Sequence, residues 1–267
     1  MTRRLLAALA AVTLSGGALF VPIQPAEASA GCAVIPVIAH RGGNERYVEN
    51  TRNAFRDATN RGARSWETDV RFTSDDVPVI MHDETVDRTT DGTGLVSALT
   101  AAHVATLRTD DGQGVPTLAE LINDAAVDGV TVFAEPKVNP TPAQWGALLA
   151  AVNSRGLADR VMLISFDPAT LGEAELYAPT MKRGLLGALG YADPETVTPY
   201  ASSFLKHYDS VTSARMAAWT TGGLDTYVWT ADTQTVWERM SRYPALHGLI
   251  TNKPAAYLKW QKSRTSC

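Results

Sequence analysis

The chain has 267 residues, 45% of them hydrophobic, with 24 basic against 28 acidic side chains and a formal charge of −4. That balance argues against nucleic acid as the main partner, and the length suits one large α/β domain or two small ones. No Ser/Pro/Gly tract, charge block or repeat divides the chain, which favours one.

In chain order the first element reads as an export signal. Arg3 and Arg4 precede an Ala-rich apolar run over 5–21 and then the small-residue triplet Ala28-Ser29-Ala30, an A-x-A cleavage pattern. Thr13, Ser15, Gly16 and Gly17 interrupt the run, which argues against a membrane anchor. Residues 1–30 are therefore expected to be a signal peptide. Residues 31–267 are expected to be a secreted domain with no stable membrane insertion after cleavage. Cys32 and Cys267 lie at the two extremes of that domain, and in an exported protein they predict a disulfide.

Strand-like apolar runs follow at 35–40, 66–72, 131–137, 161–166, 182–187, 204–208, 227–230 and 248–251, with helical patterns between them. Helices open at Thr141-Pro142, Asp167-Pro168, Asp193-Pro194 and Asp232-Thr233, and earlier ones close near Gly62, Gly129 and Gly156. Eight such units predict an α/β fold, a single-domain (β/α)8 TIM-like barrel, with a doubly wound open sheet as the rival. One segment breaks the alternation: 77–82 follows the second strand at hairpin spacing and predicts an extra strand near the barrel mouth. The Thr-, Asp- and Gly-rich stretch 83–114 is then an inserted loop or short helix on the rim of the site. A last helix from Pro254 to about Arg264 returns to the bottom face, where Cys32 precedes the first strand.

His40, Glu67, Asp69, His82 and Glu135 each fall at or near a strand end, and in a parallel barrel the C-terminal strand ends share one face. Glu67 and Asp69 are two apart on one strand, so both point to the same side, and Trp66 and Val70 mark the opposite face. Two carboxylates buried together repel each other and lose hydration unless a cation sits between them. With Glu135 they make an all-oxygen set suited to one divalent cation, Ca²⁺ or Mg²⁺, rather than zinc. Arg41 offers a planar charged fork for phosphate oxygens beside Gly42 and Gly43, where backbone can approach a ligand. Lys137 projects to the same side as Glu135 and suits phosphate contact, while Trp229 is a pocket wall or a core residue. Glu49 either orients Arg41 or begins a helix over 50–62. His103, His207 and His247 read as structural or exposed.

Together, His40-Arg41-Gly42, Glu49-Asn50-Thr51, Glu67-Thr68-Asp69-Val70, His82-Asp83, Arg88-Thr89-Thr90, Pro116-Thr117-Leu118-Ala119-Glu120 and Glu135-Pro136-Lys137 resemble the ordered motifs of glycerophosphodiester phosphodiesterases. Ser165-Phe166-Asp167, Val228-Trp229-Thr230 and Gly248-Leu249-Ile250-Thr251 extend the resemblance over the distal strands. It implies a barrel that hydrolyses small-molecule glycerophosphodiesters to glycerol 3-phosphate and an alcohol. It also implies a metal at Glu67, Asp69 and Glu135, and His40 and His82 as general acid and base in either order. Two positions depart from the family pattern. Asn252 stands where the family commonly has Asp, and an amide does not carry a carboxylate's charge; Pro136 stands where an aliphatic residue is usual. The competing functions are a phospholipase D of the sphingomyelinase D type and a barrel that binds a polyol phosphate without turning it over.

Overall fold

The computed structural model describes residues 34–187 and 193–264, so the export signal and the Cys32–Cys267 pair fall outside the described residues. Nine strands are present among them: β1 (Val37–His40), β2 (Ser65–Phe72), β3 (Pro78–Ile80), β4 (Thr131–Pro136), β5 (Val161–Ser165), β6 (Lys182–Gly187), β7 (Ser203–His207), β8 (Asp225–Trp229) and β9 (Leu246–Thr251). All but β3 run parallel in the order β1-β9-β8-β7-β6-β5-β4-β2, and a β1–β2 pairing closes the ring. That pairing decides for the barrel over the open sheet.

Period-two alternation sorts the side chains. Ile38, Phe133, Met162, Ile164, Leu186, Leu205 and Ile250 form an apolar core inside the barrel. The neighbouring positions Ala39, Trp66, Val132, Leu163, Leu185, Phe204, Val228 and Leu249 join a larger core beneath the helices. Inside, space is limiting: a Cβ on Gly248 would lie 2.8 Å from Ile38 Cδ1.

The long helices among those described are α1 (Arg52–Arg61), then, past the short α2 (Ala101–Val104), α3 (Leu118–Asp128), α4 (Pro142–Asn153), α5 (Pro168–Tyr177) and, past the short α6 (Pro194–Val197), α7 (Ser213–Thr221), α8 (Gln234–Met240) and α9 (Pro254–Ser263). Their caps follow the sequence closely. Thr117 and Glu120 form a capping box on α3, Thr141 and Gln144 another on α4, and Gly62 and Gly129 close α1 and α3 in the left-handed conformation. Two expected boundaries move. Helix α1 starts at Arg52 rather than Asn50, because Asn50 takes φ 58° and Thr51 caps the helix instead. Strand β1 starts at Val37 rather than residue 35, because the Ile35 carbonyl accepts hydrogen bonds from Tyr257 Oη and Gln261 Nε2 on α9, both at 3.0 Å.

Strand β3 lies antiparallel on β2, with Val70 opposite Ile80 and Phe72 opposite Pro78. It fits there because β1 ends at His40, opposite Glu67, and leaves the later part of β2 open on that side. The inserted stretch packs around its own apolar cluster, which includes Val79, Met81, Val86, Val96, Val104 and Leu107. It forms a built rim at the barrel mouth. Among the described residues no helix is long and apolar enough to cross a membrane.

Candidate active site

Strand register gathers the site. His40 on β1 pairs with Glu67 on β2, and two residues on, Asp69 pairs with Glu135 on β4. Because neighbours in register point the same way, all four side chains reach the interior at the C-terminal end of the barrel. The β2–β3 hairpin then brings His82 back over the mouth, where Arg71 Nε holds its carbonyl at 2.9 Å.

The turn after β1 is shaped around these groups. Arg41 and Gly42 take φ 53° and 81°, and a Cβ on Gly42 would come within 2.7 Å of the Phe55 amide nitrogen in α1. The Arg41 amide donates to Glu67 Oε2 at 3.0 Å, and its guanidinium donates to Glu49 Oε1 at 2.9 Å. Arg41 Nε lies 3.0 Å from Asp69 Oδ2 but out of line for a hydrogen bond, so that contact is one of charge alone. Glu49 also accepts from Arg88 at 2.7 Å, and Arg88 in turn grips Asp83, whose Oδ1 sits 2.6 Å from His82 Nδ1. Glu49 therefore belongs to the site rather than to α1, and it links Arg41 to the support behind His82.

Glu67, Asp69 and Glu135 are buried, and one oxygen from each lies within 4.8 Å of the others. Burial first, then repulsion from Asp69 and Glu135, pushes the Glu67 carboxyl well above its ordinary range. Burial raises Glu135 too, against the pull of Lys137. Burial also works on Asp69, yet Arg41, Lys137 and the Asn50 amide together outweigh it and hold that carboxyl below its usual value. Lys137 Nζ rests 2.9 Å from Glu135 and 3.5 Å from Asp69. Asp69 Oδ1 is buried with no hydrogen-bond partner. An acceptor of that kind, in a knot of carboxylates, fits a hard divalent cation.

A cavity of about 220 Å³ opens above these groups. His40, Arg41, Glu67, His82, Glu135 and Lys137 line one side, and Ile164, Phe166, Leu186, Trp229 and Ile250 the other. Asp69 lies beneath it, bonded to Asn50 Nδ2 at 2.9 Å. Trp229 is a wall here: its Nε1 is tied to the Leu205 carbonyl and its ring meets Phe166 edge-on at 5.3 Å. His40 is half-buried at the cavity edge, and desolvation, then Arg41, lower its pKa; its Nδ1 lies 2.6 Å from Asn252 Oδ1. His207 stands 5.4 Å from Trp229, while His247 pairs with Asp225 at the start of β8, away from the cavity.

Sequence reasoning missed Asn50, Asp232, Phe166 and Leu186. Asn50 stood inside a quoted motif without a role, and Phe166 and Leu186 look like ordinary strand apolars. Asp232 read only as part of a helix opening, where the structure has Thr233 as the cap instead.

The glycerophosphoryl diester phosphodiesterase family model matches residues 40–256. A glycerophosphodiester phosphodiesterase of Caldanaerobacter subterraneus subsp. tengcongensis is 30% identical over 237 residues, 82% of this chain and 94% of that protein. Among solved structures, a putative glycerophosphoryl diester phosphodiesterase from Silicibacter pomeroyi superposes with a TM-score of 0.79 at 24% identity, covering 87% of this chain and 95% of that one. An Oleispira antarctica phosphodiesterase in complex with the product sn-glycerol-3-phosphate gives a TM-score of 0.77 at 23% identity, covering 87% and 97%. With the barrel, the acidic cluster and the family match in agreement over most of its length, the chain belongs to the glycerophosphoryl diester phosphodiesterase family and is a glycerophosphodiester hydrolase.

Proposed function

We propose that hydrolysis here runs on His40 and His82 as the proton-transfer pair, with one divalent cation held by Glu67, Asp69 and Glu135. The observation that carries this is the single cavity whose polar side joins both histidines to the acidic cluster, above a buried Asp69 oxygen with no hydrogen-bond partner. A cation bound there would offset the charge of the phosphodiester as the nucleophile approaches. The oxygen-only set suits Mg²⁺ or Ca²⁺, and Ca²⁺ is the preferred reading for an exported protein.

Arg41 and Lys137 face the same space and are the phosphate contacts. Glu49 holds Arg41 and Glu135 holds Lys137, so both cations arrive oriented. The apolar side, Ile164, Leu186 and Trp229 among it, takes the carbon skeleton of glycerol and keeps water from that flank. One histidine accepts a proton from the attacking water as its oxygen bonds to phosphorus; where the neighbouring glycerol hydroxyl attacks first, water then opens the cyclic phosphodiester in the same way. The other protonates the departing alkoxide as the second P–O bond breaks. The product complex of the Oleispira phosphodiesterase supports glycerol 3-phosphate as the product here.

Residues 1–30 are proposed as an export signal and Cys32–Cys267 as a disulfide of the secreted protein. The bonds from α9 to the Ile35 carbonyl support the bridge, since they draw both ends of the described chain together beneath the barrel.

Release of glycerol 3-phosphate from glycerophosphocholine tests the reading. His40→Ala and His82→Ala should each fold, by circular dichroism, and lose at least about 10²-fold in kcat. Either folded variant at full kcat would remove that histidine from the mechanism. Turnover of lysophospholipid without turnover of glycerophosphocholine would favour the phospholipase D type instead.

A further inference from the structure

Position 252 carries an amide where the family pattern has a carboxylate, yet a carboxylate stands directly behind it. Asn252 Nδ2 donates to Asp232 Oδ2 at 2.7 Å, and Asn252 Oδ1 lies 2.6 Å from His40 Nδ1. Asp232 Oδ1 also accepts from the Asn252 amide at 2.8 Å and from Thr251 Oγ1 at 2.9 Å. The Asn252 carbonyl accepts from the Asn44 amide at 3.0 Å, so both ends of the residue are fixed.

From this geometry we infer that Asp232 is a positioning residue for the reaction, acting through Asn252 to set the tautomer of His40. A carboxylate oxygen only accepts, so Asp232 Oδ2 dictates which end of the Asn252 amide faces it: the Nδ2 end. The Oδ1 end must then face His40, and because that oxygen also only accepts, His40 Nδ1 must carry the hydrogen. In the neutral ring the lone pair is left on Nε2, on the Glu67 side, 3.7 Å from that carboxylate. The inference rests on His40 being a proton-transfer group, as proposed above. It adds a residue on a different strand end, twenty positions from Asn252, that is not itself among the residues lining the cavity.

The consequence of removing the charge is specific. In Asp232→Asn the new amide can keep its oxygen on Thr251 and the Asn252 backbone, so the loop retains those bonds. Its NH₂ then confronts the NH₂ of Asn252. The Asn252 amide must turn over, offering a donor to His40 Nδ1 and driving the ring hydrogen to Nε2. A second change, Asn252→Asp in the Asp232→Asn background, exchanges the two groups and returns an acceptor to Nδ1.

The experiment is ¹⁵N NMR of histidine-labelled protein above the ordinary histidine pKa, with kinetics on the same samples. Wild type should show His40 protonated on Nδ1, with His40→Ala identifying its resonances. Asp232→Asn should move the hydrogen to Nε2 and lower kcat at least about tenfold with KM within about twofold, while the double variant restores both the tautomer and most of kcat. Wild-type His40 protonated on Nε2 would overturn the inference without any variant. So would a folded Asp232→Asn that keeps the wild-type tautomer, or a double variant no better than the single one. The two proposals fail separately: the expected tautomers with undiminished kcat in His40→Ala would remove the catalytic reading and leave the relay as structure alone.

Discussion

Asn50 shows how much of the site depends on one side chain outside the cavity. Its φ of 58° is a conformation few residues adopt, and it turns Nδ2 onto Asp69 Oδ2 while its Oδ1 accepts from Thr68 at 3.2 Å. Asn50→Gly tolerates the backbone and deletes only the amide. It should weaken cation binding by about 10–100-fold, as loss of a ligand's support typically does, and titration calorimetry on metal-free protein measures it. Unchanged affinity would mean Asp69 needs no such support. Whichever histidine protonates the leaving group should be revealed by substrate choice. With p-nitrophenolate as leaving group, the variant lacking the acid recovers part of its lost rate, whereas the variant lacking the base does not. At this scale the strand-end positions of the carboxylates and histidines were enough to foresee that the fold gathers them at one mouth. The sequence hid Asp232, whose effect passes through an amide borrowed from the next strand.

Among elements, the turn between β1 and α1 carries most of the site's precision. Gly42 has no room for a side chain and a φ of 81°. Gly42→Ala should therefore cost about 1–3 kcal/mol in stability by denaturant unfolding and lower kcat through displaced Arg41 and His40. An alanine variant with wild-type stability and rate would show that the turn adapts freely. The strands were legible because, buried on both faces, they read as short apolar runs, and the helices because Thr-Pro, Asp-Pro and glycine signals stood at their ends. The start of α1 was not, since the left-handed Asn50 is fixed by its tertiary bond to Asp69. The early end of the β1 ladder likewise depends on α9, more than two hundred residues away in sequence.

For the molecule as a whole, the acidic cluster should tie stability to pH and, with the cation proposed above, to metal. A carboxyl whose folded pKa exceeds its unfolded value contributes stability below the unfolded pKa and loses it as pH rises through the folded one. Glu67 and Glu135 are both raised, by burial first. Metal-free protein should accordingly lose stability as pH climbs upward from about 4.3, the ordinary glutamate value. Asp69, held low, acts in the opposite sense, and its contribution is lost only on acidification below that window. A cation requires the same carboxyls ionised, so the rise in Tm on adding Mg²⁺ or Ca²⁺ should widen over that interval. Scanning calorimetry in EDTA and in excess metal measures the gap; a gap that narrows with rising pH contradicts the account. The barrel was legible from eight alternating units, but its closure needed the β1–β2 register, which no local pattern encodes. The measurement that bears most directly on the central claim is glycerol 3-phosphate release by EDTA-treated protein before and after Mg²⁺ or Ca²⁺ is returned. The account predicts no release from the metal-free protein and recovery on adding either ion; full turnover without metal would contradict it.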